Sequence, residues 1–335
     1  MGMMKKQKVT LIEVAELAGV SRAAAGKVLN GGTSKIGVGA EARKRILEAA
    51  RKLNYQPNMA ASILAGGSSK MIGVFVDSFA HYRTIRLLQE IERLASGQGY
   101  RIITSFTHDN IANMREDYHA LHRYGVNSFI CCSHDYPDLK NEVAELFEGA
   151  KNVVFMEKPC IPGMPYVGTS RLKALTAMIA DALKQGYRKF GTIHRHHSAY
   201  SERVLHEEFI LAMSANGLQP DENLIFESPK NMIDPQTKVQ LALEKMILPY
   251  RPDFLYIDDA ATTIALRNYL SNTGLNPAIC GGNADPLFKY MSLPSFDPGY
   301  EMIAAALLDL LLNREQKNEY PVIEAVYKIS NFNER

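Results

Sequence analysis

Between Val9 and Asn30, in VTLIEVAELAGVSRAAAGKVLN, apolar side chains at Leu11, Val14, Ala15 and Leu17 recur at helical spacing, and Ala18-Gly19-Val20 interrupts the pattern. Thr10 stands where it caps this helix, Glu13 three residues on completes a capping box, and Ser21 stands where it caps a second helix. Two short helices joined by a glycine-containing turn predict a helix-turn-helix, whose second helix can enter a DNA major groove N-terminus first. After Asn30, GGTSKIGVG reads as a loop. AEARKRILEAARKLN, residues 40–54, reads as an amphipathic third helix with Ala42, Ile46, Leu47, Ala49, Ala50 and Leu53 on its apolar face. In YQPNMAASILAG, residues 55–66, Pro57 ends the preceding helix, Asn58 is a cap and Gly66 a terminator for a short new one. So short a helix is not stable alone, because nucleation costs more than its few hydrogen bonds return; it needs a partner.

From Lys70 the texture changes to short apolar runs alternating with amphipathic helices. MIGVFV (71–76), YRIITSF (100–106), SFICC (128–132), NVVFM (152–156), KFGTIH (189–194), FLYID (254–258) and AICGG (278–282) read as buried strands. TIRLLQEIERLASGQG, LKALTAMIADALKQG and EMIAAALLDLLLN read as helices among them. Repeated βα units predict parallel sheets with helices on both faces, and this many strands predicts two sheets. Ligands in such folds sit at the carboxyl ends of the strands, here the cleft between two lobes.

At 335 residues, 46% apolar and 22% charged, the chain is long enough for more than one folding unit. No segment reaches the roughly 18 uninterrupted apolar residues of a membrane span, and MGMMKKQKVTLIEV has no apolar run of signal-peptide length, so a cytoplasmic protein with no membrane partner is expected. Cys131, Cys132, Cys160 and Cys280 include no C-x-x-C, which predicts neither a disulfide framework nor a zinc knuckle. The net charge of +2 conceals an asymmetry: residues 1–70 hold twelve Lys and Arg against four Asp and Glu, leaving 26 against 32 for the remainder. A basic head on an acidic body suits the phosphate backbone of double-stranded DNA.

The run T-L-x-x-V-A-x-x-A-G-V-S followed by K-V-L-N, here Thr10 to Ser21 and Lys27 to Asn30, resembles the headpiece of the LacI/GalR family of bacterial transcription repressors. Y-x-P-N-x-x-A-x-x-L, here Tyr55 to Leu64, resembles that family's hinge helix. The resemblance covers nearly the whole chain and is most specific in its first 66 residues. It implies an all-α helix-turn-helix headpiece over residues 1–57, a hinge helix and linker over 58–69, and an α/β two-lobed periplasmic-binding-protein-like domain over 70–335 for effector binding and dimerisation. The implied function is sequence-specific regulation of transcription, by repression, from a homodimer on a near-palindromic operator, with neither enzymatic activity nor a cofactor. The DNA-contacting residues it implies are Thr10, Ser21, Arg22, Ala23, Lys27, Asn30, Arg43, Tyr55, Asn58, Ala61 and Leu64. Arg22, Ala23 and Lys27 would meet bases, and Leu64 would wedge into a base step where two hinge helices meet in the minor groove. The chain departs from the family at Val38-Gly39-Ala40-Glu41-Ala42-Arg43, where a capping serine and a threonine are missing although Arg43 is kept. Ala25 replaces a usual valine, and Gly26, where serine is usual, costs the second helix about 1 kcal/mol relative to alanine.

Residues placed after strand ends are Asp77, His81, Tyr82, Arg83, His134, Glu157, His194, Tyr200, Arg203, Asp258 and Asp285, groups that suit an effector with a polar ring, a sugar or a related compound. Several of the family's usual anchors are altered. Where R-x-x-G-F is common, Leu205 and Glu208 take the arginine and glycine positions before Phe209, and Arg203 lies two residues early. V-x-x-D-N reads Val167-Gly168-Thr169-Ser170, and G-F-D-D reads Gly282-Asn283-Ala284-Asp285, which predicts an atypical effector or none. His194-Arg195-His196-His197 sets alternate histidines on one side, but no third ligand is near in sequence, so no metal is expected. The chain's terminal SNFNER carries no heptad tail, which predicts a dimer rather than a tethered tetramer. The rival reading is a cytoplasmic solute-binding protein or enzyme with a vestigial headpiece. G-x-S-x-G, G-x-x-x-x-G-K-[ST] and H-E-x-x-H are all absent, which weighs against an enzyme.

Overall fold

A computed structural model describes residues 9–30, 37–56, 69–77, 82–108, 110–196, 204–229, 232, 234–271, 273–313 and 320–327. The chain divides into two compact units, Met1–Ile72 with Tyr118–Asn127, and Gly73–Asp117 with Ser128–Arg335.

The first unit contains α1 (Leu11–Ala18), α2 (Arg22–Asn30) and α3 (Ala40–Lys52). The capping box at the start of α1 is formed: Thr10 N–H donates to Glu13 Oε2 at 2.6 Å, and Glu13 N–H to Thr10 Oγ1 at 3.4 Å. The helix stops at Gly19, whose φ of 61° is a left-handed conformation that only glycine adopts without strain. Ser21 Oγ then accepts the Ala24 N–H at 3.2 Å and opens α2. Val14, Ala15, Ala18, Ala25, Ile46, Ala49 and Ala50 form the core of this unit. Two expected core positions are corrected, since Leu17 is 47% and Leu47 37% exposed. The buried stripe of α1 runs through residues 14, 15 and 18, with Leu11 partly buried beside it, so Ala18 takes the place assigned to Leu17. Leu47 likewise lies a hundred degrees round the helix from Ile46, off the stripe shared with Ala49 and Ala50. α3 starts where expected, with Gly39 as an N-cap that makes no side-chain bond, and ends two residues early at Lys52.

The second element set begins with β1 (Met71–Val76), α4 (Tyr82–Gly97), β2 (Arg101–Phe106), α5 (Ile111–Arg123), β3 (Phe129–Cys131), α6 (Lys140–Phe147), β4 (Val153–Met156) and β5 (Tyr166–Ser170). It continues through α7 (Leu172–Lys184), β6 (Phe190–Arg195), α8 (Leu205–Ala215), β7 (Ile225–Ser228), α9 (Pro235–Ala242), β8 (Phe254–Ile257), α10 (Ala260–Leu270) and β9 (Ala278–Gly281). α11 (Pro286–Tyr290), α12 (Tyr300–Asn313) and β10 (Val322–Glu324) complete it. The strands make two sheets, ordered β10-β5-β4-β3-β1-β2 and β7-β6-β8-β9. The registered pairs from β1 to β3, β3 to β4, β4 to β5 and β5 to β10 are parallel, as are those of β6 with β7 and β8 and of β8 with β9. All seven expected strands form within a residue or two of their predicted limits. β5, β7 and β10 were not expected, because YVGTS, IFES and VIE are too polar or too short to read as buried strands.

The chain passes between the two sheets at three places. After β5, α7 joins the second lobe's core with Phe190, Phe254 and Tyr256. After β9, α12 returns to pack against α4, β4 and β5. Beyond β10, Ala325 enters the second core again, with Tyr327 against it. The registered strands of each sheet point the same way, so their carboxyl ends gather polar side chains at one edge of each sheet.

Candidate nucleic-acid interface and effector cleft

In the first unit, Arg22 and Ala23 are the first two residues of α2 and are exposed at its amino end, where the unsatisfied N–H groups concentrate positive potential. Lys27 follows on the same helix, half-buried, and Asn30 ends it. Arg43 is exposed in the first turn of α3. Thr10 and Ser21 commit their hydroxyl oxygens to helix caps, so each sets the position of a helix end. Tyr55 packs half-buried against the three-helix core, and burial pushes its phenol up. Asn58, Ala61 and Leu64 lie outside the described residues. Exposed Arg22 and Arg43 at helix starts, with Lys27 between, can meet phosphates or base edges.

In the second unit, both sheets contribute to a cavity of about 200 Å³. Asp77, Arg83, His134 and Asp258 line it, as the strand-end reading expects, together with Glu157. Asp77 Oδ1 accepts the Ser133 hydroxyl at 2.6 Å, part of a buried chain through Thr107 and Tyr136. Arg83 Nη2 lies 3.2 Å from Glu157 Oε1, and the Glu157 carboxylate also accepts the Thr169 hydroxyl and N–H. Burial, with the Arg171 guanidinium close by, pulls the Arg83 pKa down, and Glu157 opposes that pull. His134 Nε2–H donates to the Met156 carbonyl at 2.8 Å, and burial keeps the ring neutral by lowering its pKa. Its Nδ1 is buried with no hydrogen-bond partner among the described residues, an acceptor held ready for a ligand hydroxyl or amine.

Across the cavity Asp258 and Asp259 stand side by side. Burial first, and the Asp259 charge second, raise the Asp258 carboxyl to about 6. Asp259 goes the other way. Burial opposes its charge, but buried Lys238, 3.1 Å away, and the Thr262 hydroxyl and N–H keep its pKa below the ordinary value. Asn283 Nδ2 donates to the Asp258 carbonyl at 2.8 Å and so fixes the loop after β9. The wall therefore presents cations, carboxylates and a neutral imidazole to one cavity, a lining suited to a polar ligand.

Three expected effector residues fall outside this lining. Asp285 caps α11 by accepting the Leu287 N–H at 2.9 Å. His194 is fully buried on β6, and its strand neighbours Arg195 and His196 reach the cavity instead. Tyr82 starts α4 one residue before Arg83, which does line the cavity. His81, Tyr200 and Arg203 lie outside the described residues. Sequence reading missed Arg171, Lys238 and Asn283 as site residues. Arg171 follows a strand that was not expected, and Lys238 lies inside a helix, where nothing marks a lysine as buried.

A family model for bacterial regulatory proteins of the lacI family matches residues 10–58. The sucrose operon repressor of Klebsiella pneumoniae is 30% identical over 182 residues, 54% of this chain and 54% of its own. The catabolite repressor/activator of Escherichia coli K12 is 32% identical over 114 residues, 34% of each. The chain thus spans about half the length, or less, of these curated relatives. Among solved structures, the lac repressor dimer bound to operator and the anti-inducer ONPF superimposes with a TM-score of 0.70 at 18% identity, over 95% of this chain and 97% of that one. The transcriptional regulator CelR in complex with cellobiose superimposes with a TM-score of 0.63 at 17% identity, over 96% of this chain and 99% of that one. These likenesses establish the fold as a helix-turn-helix region followed by a two-lobed, periplasmic-binding-protein-like α/β domain.

Proposed function

We propose that the chain is a LacI/GalR-type regulator, as the match of residues 10–58 to the lacI family model and the likeness to the sucrose operon repressor support, and that it is a sequence-specific transcription regulator, a repressor by type, working as a cytoplasmic homodimer on a near-palindromic operator. The observation that carries this reading is the coincidence of the family match over residues 10–58 with a formed helix-turn-helix that leaves Arg22 and Ala23 exposed at the start of α2. Residues 1–57 act as the headpiece, 58–69 as the hinge that reaches the minor groove, and 70–335 as the effector-binding and dimerising body. Arg22 reads a guanine by a bidentate contact, Ala23 offers only a methyl, and Lys27 and Arg43 add contacts further along. A two-fold protein calls for a two-fold site.

The effector is a small polar molecule seated between the sheets. Sugars are supported by the names of the sucrose repressor and the cellobiose complex. The unpartnered His134 Nδ1 and the facing Arg83 and Asp258 support a ligand with donors and acceptors on both sides. Its binding shifts the equilibrium between two lobe arrangements only to the extent that it prefers one of them. No nucleophile-and-base pair marks a catalytic site among the named motifs, and the chain acts by binding.

The test is selection of duplexes from a randomised library by the full chain, followed by titration at low and high salt. A two-fold symmetric site should be enriched. Arg22→Ala should lose about 1–3 kcal/mol of discrimination at one position of each half-site and leave the salt slope nearly unchanged. No complex at any salt would return the chain to the rival class of solute-binding proteins. A thermal-shift screen of sugars, sugar acids, nucleosides and purines on the full chain then identifies the effector class.

A further inference from the structure

The second lobe carries a cluster of nitrogen and oxygen donors that gene regulation leaves unused. β6 and β7 pair in parallel with His194 opposite Glu227, so the two side chains leave the same face of the sheet at one level. His206, second residue of α8, meets them there, and one ligand atom from each of His194, His206 and Glu227 lies within 4.8 Å of the others. His194 is fully buried, and its Nε2 has no hydrogen-bond partner among the described residues. A nitrogen cut off from water and left unpaired is costly, and native structures rarely tolerate one without an occupant.

The remaining atoms of all three groups are held from behind. His194 Nδ1 lies 3.3 Å from Thr192 Oγ1, which accepts the Nδ1–H in the tautomer that leaves the lone pair on Nε2. His206 Nε2 lies 3.0 Å from Glu222 Oε2, which leaves Nδ1 facing Glu227 Oε2 at 3.8 Å. The other Glu227 oxygen is held by His196 Nδ1. Each prospective ligand thus has the outer hydrogen bond that orients metal-binding imidazoles and carboxylates.

We propose that His194 Nε2, His206 Nδ1 and the Glu227 carboxylate bind a divalent transition ion of the zinc class, with water in the fourth position. Two imidazoles and one carboxylate suit tetrahedral Zn²⁺ and disfavour the all-oxygen shells of Ca²⁺ and Mg²⁺. His206 and Glu227 are 30% and 27% exposed, which gives the ion an entry path and the water an open side. Closing the donors onto one ion contracts their spacing slightly, within reach of side-chain rotation in these two. His196 both holds Glu227 and lines the effector cavity, so the ion would stiffen one wall of that cavity. The site escapes a sequence reading because its third ligand comes from a neighbouring strand and its second from a helix start.

The full chain, stripped with a chelator, is titrated with Zn²⁺ by calorimetry and with Co²⁺ by visible absorption. The expected result is stoichiometric uptake with the strong visible bands of four-coordinate cobalt. His206→Gln and Glu227→Gln should each weaken uptake by about tenfold or more, while His119→Gln, on the exposed surface of α5, should not change it. Absence of stoichiometric uptake by the unmutated chain, or uptake that both variants retain, overturns the proposal. If a variant fails to fold, the cobalt spectrum of the unmutated chain decides alone: without four-coordinate bands the site is a hydrogen-bonded network only.

Discussion

Asp258 and Lys238 put both signs of charge into the wall of the cavity between the sheets. Asp258, raised to about 6 by burial and Asp259, binds its proton more tightly folded than unfolded. Its contribution to stability is therefore complete below the unfolded value of 3.8 and is lost as pH rises through about 6. In urea melts, Asp258→Asn should gain on the unmutated chain across that window; a difference independent of pH would remove Asp258 as the cause. Lys238 is buried and 3.1 Å from Asp259, so Lys238→Met should cost about 3 kcal/mol by stranding the carboxylate, read from the same melts near neutral pH. Asp77, Arg83, His134 and Asp258 were legible because a polar group just after an apolar run sits at a sheet's carboxyl edge. Asp285 obeyed the same rule and was drawn off by the nearest unsatisfied N–H groups, those at the start of its own helix.

Helix α2, which carries Arg22, Ala23 and Lys27, has Gly26 in its interior, the one strong helix-weakening residue in RAAAGKVLN. A Cβ at Gly26 would lie 3.3 Å from Leu11 Cδ2, the far end of a flexible side chain. Gly26→Ala should therefore recover part of the roughly 1 kcal/mol of lost propensity, seen as slower amide exchange in α2 of the full chain. Faster exchange there would mean that Leu11 cannot give way and that the glycine is kept for packing. The caps and stop of α1 were readable, because each is settled by residues three or four positions apart. The strands YVGTS, IFES and VIE were not, because long-range pairing, and not local apolar content, makes them strands.

The cavity lies between two separate sheets, and a bound ligand that touches both favours whichever lobe arrangement brings its contacts together. An effector at a hundredfold excess over its Kd should stabilise the full chain by about 2.7 kcal/mol, and Arg83→Ala should abolish most of that shift while leaving operator affinity without effector unaltered. An equal shift in the variant would place the ligand elsewhere. Among the described residues no helix is long and apolar enough to cross a membrane.

The headpiece, the change of texture at Lys70 and the two-sheet βα plan all follow from order along the chain, because caps, turns and amphipathic faces are short-range matters of hydrogen bonding and solvation. Strand order, the pairing of Arg83 with Glu157 and of Lys238 with Asp259, and the meeting of His194 with Glu227 do not follow from it. Those depend on contacts between residues far apart in the chain, whose partners are chosen when the cores close and the remaining polar groups must find each other out of water.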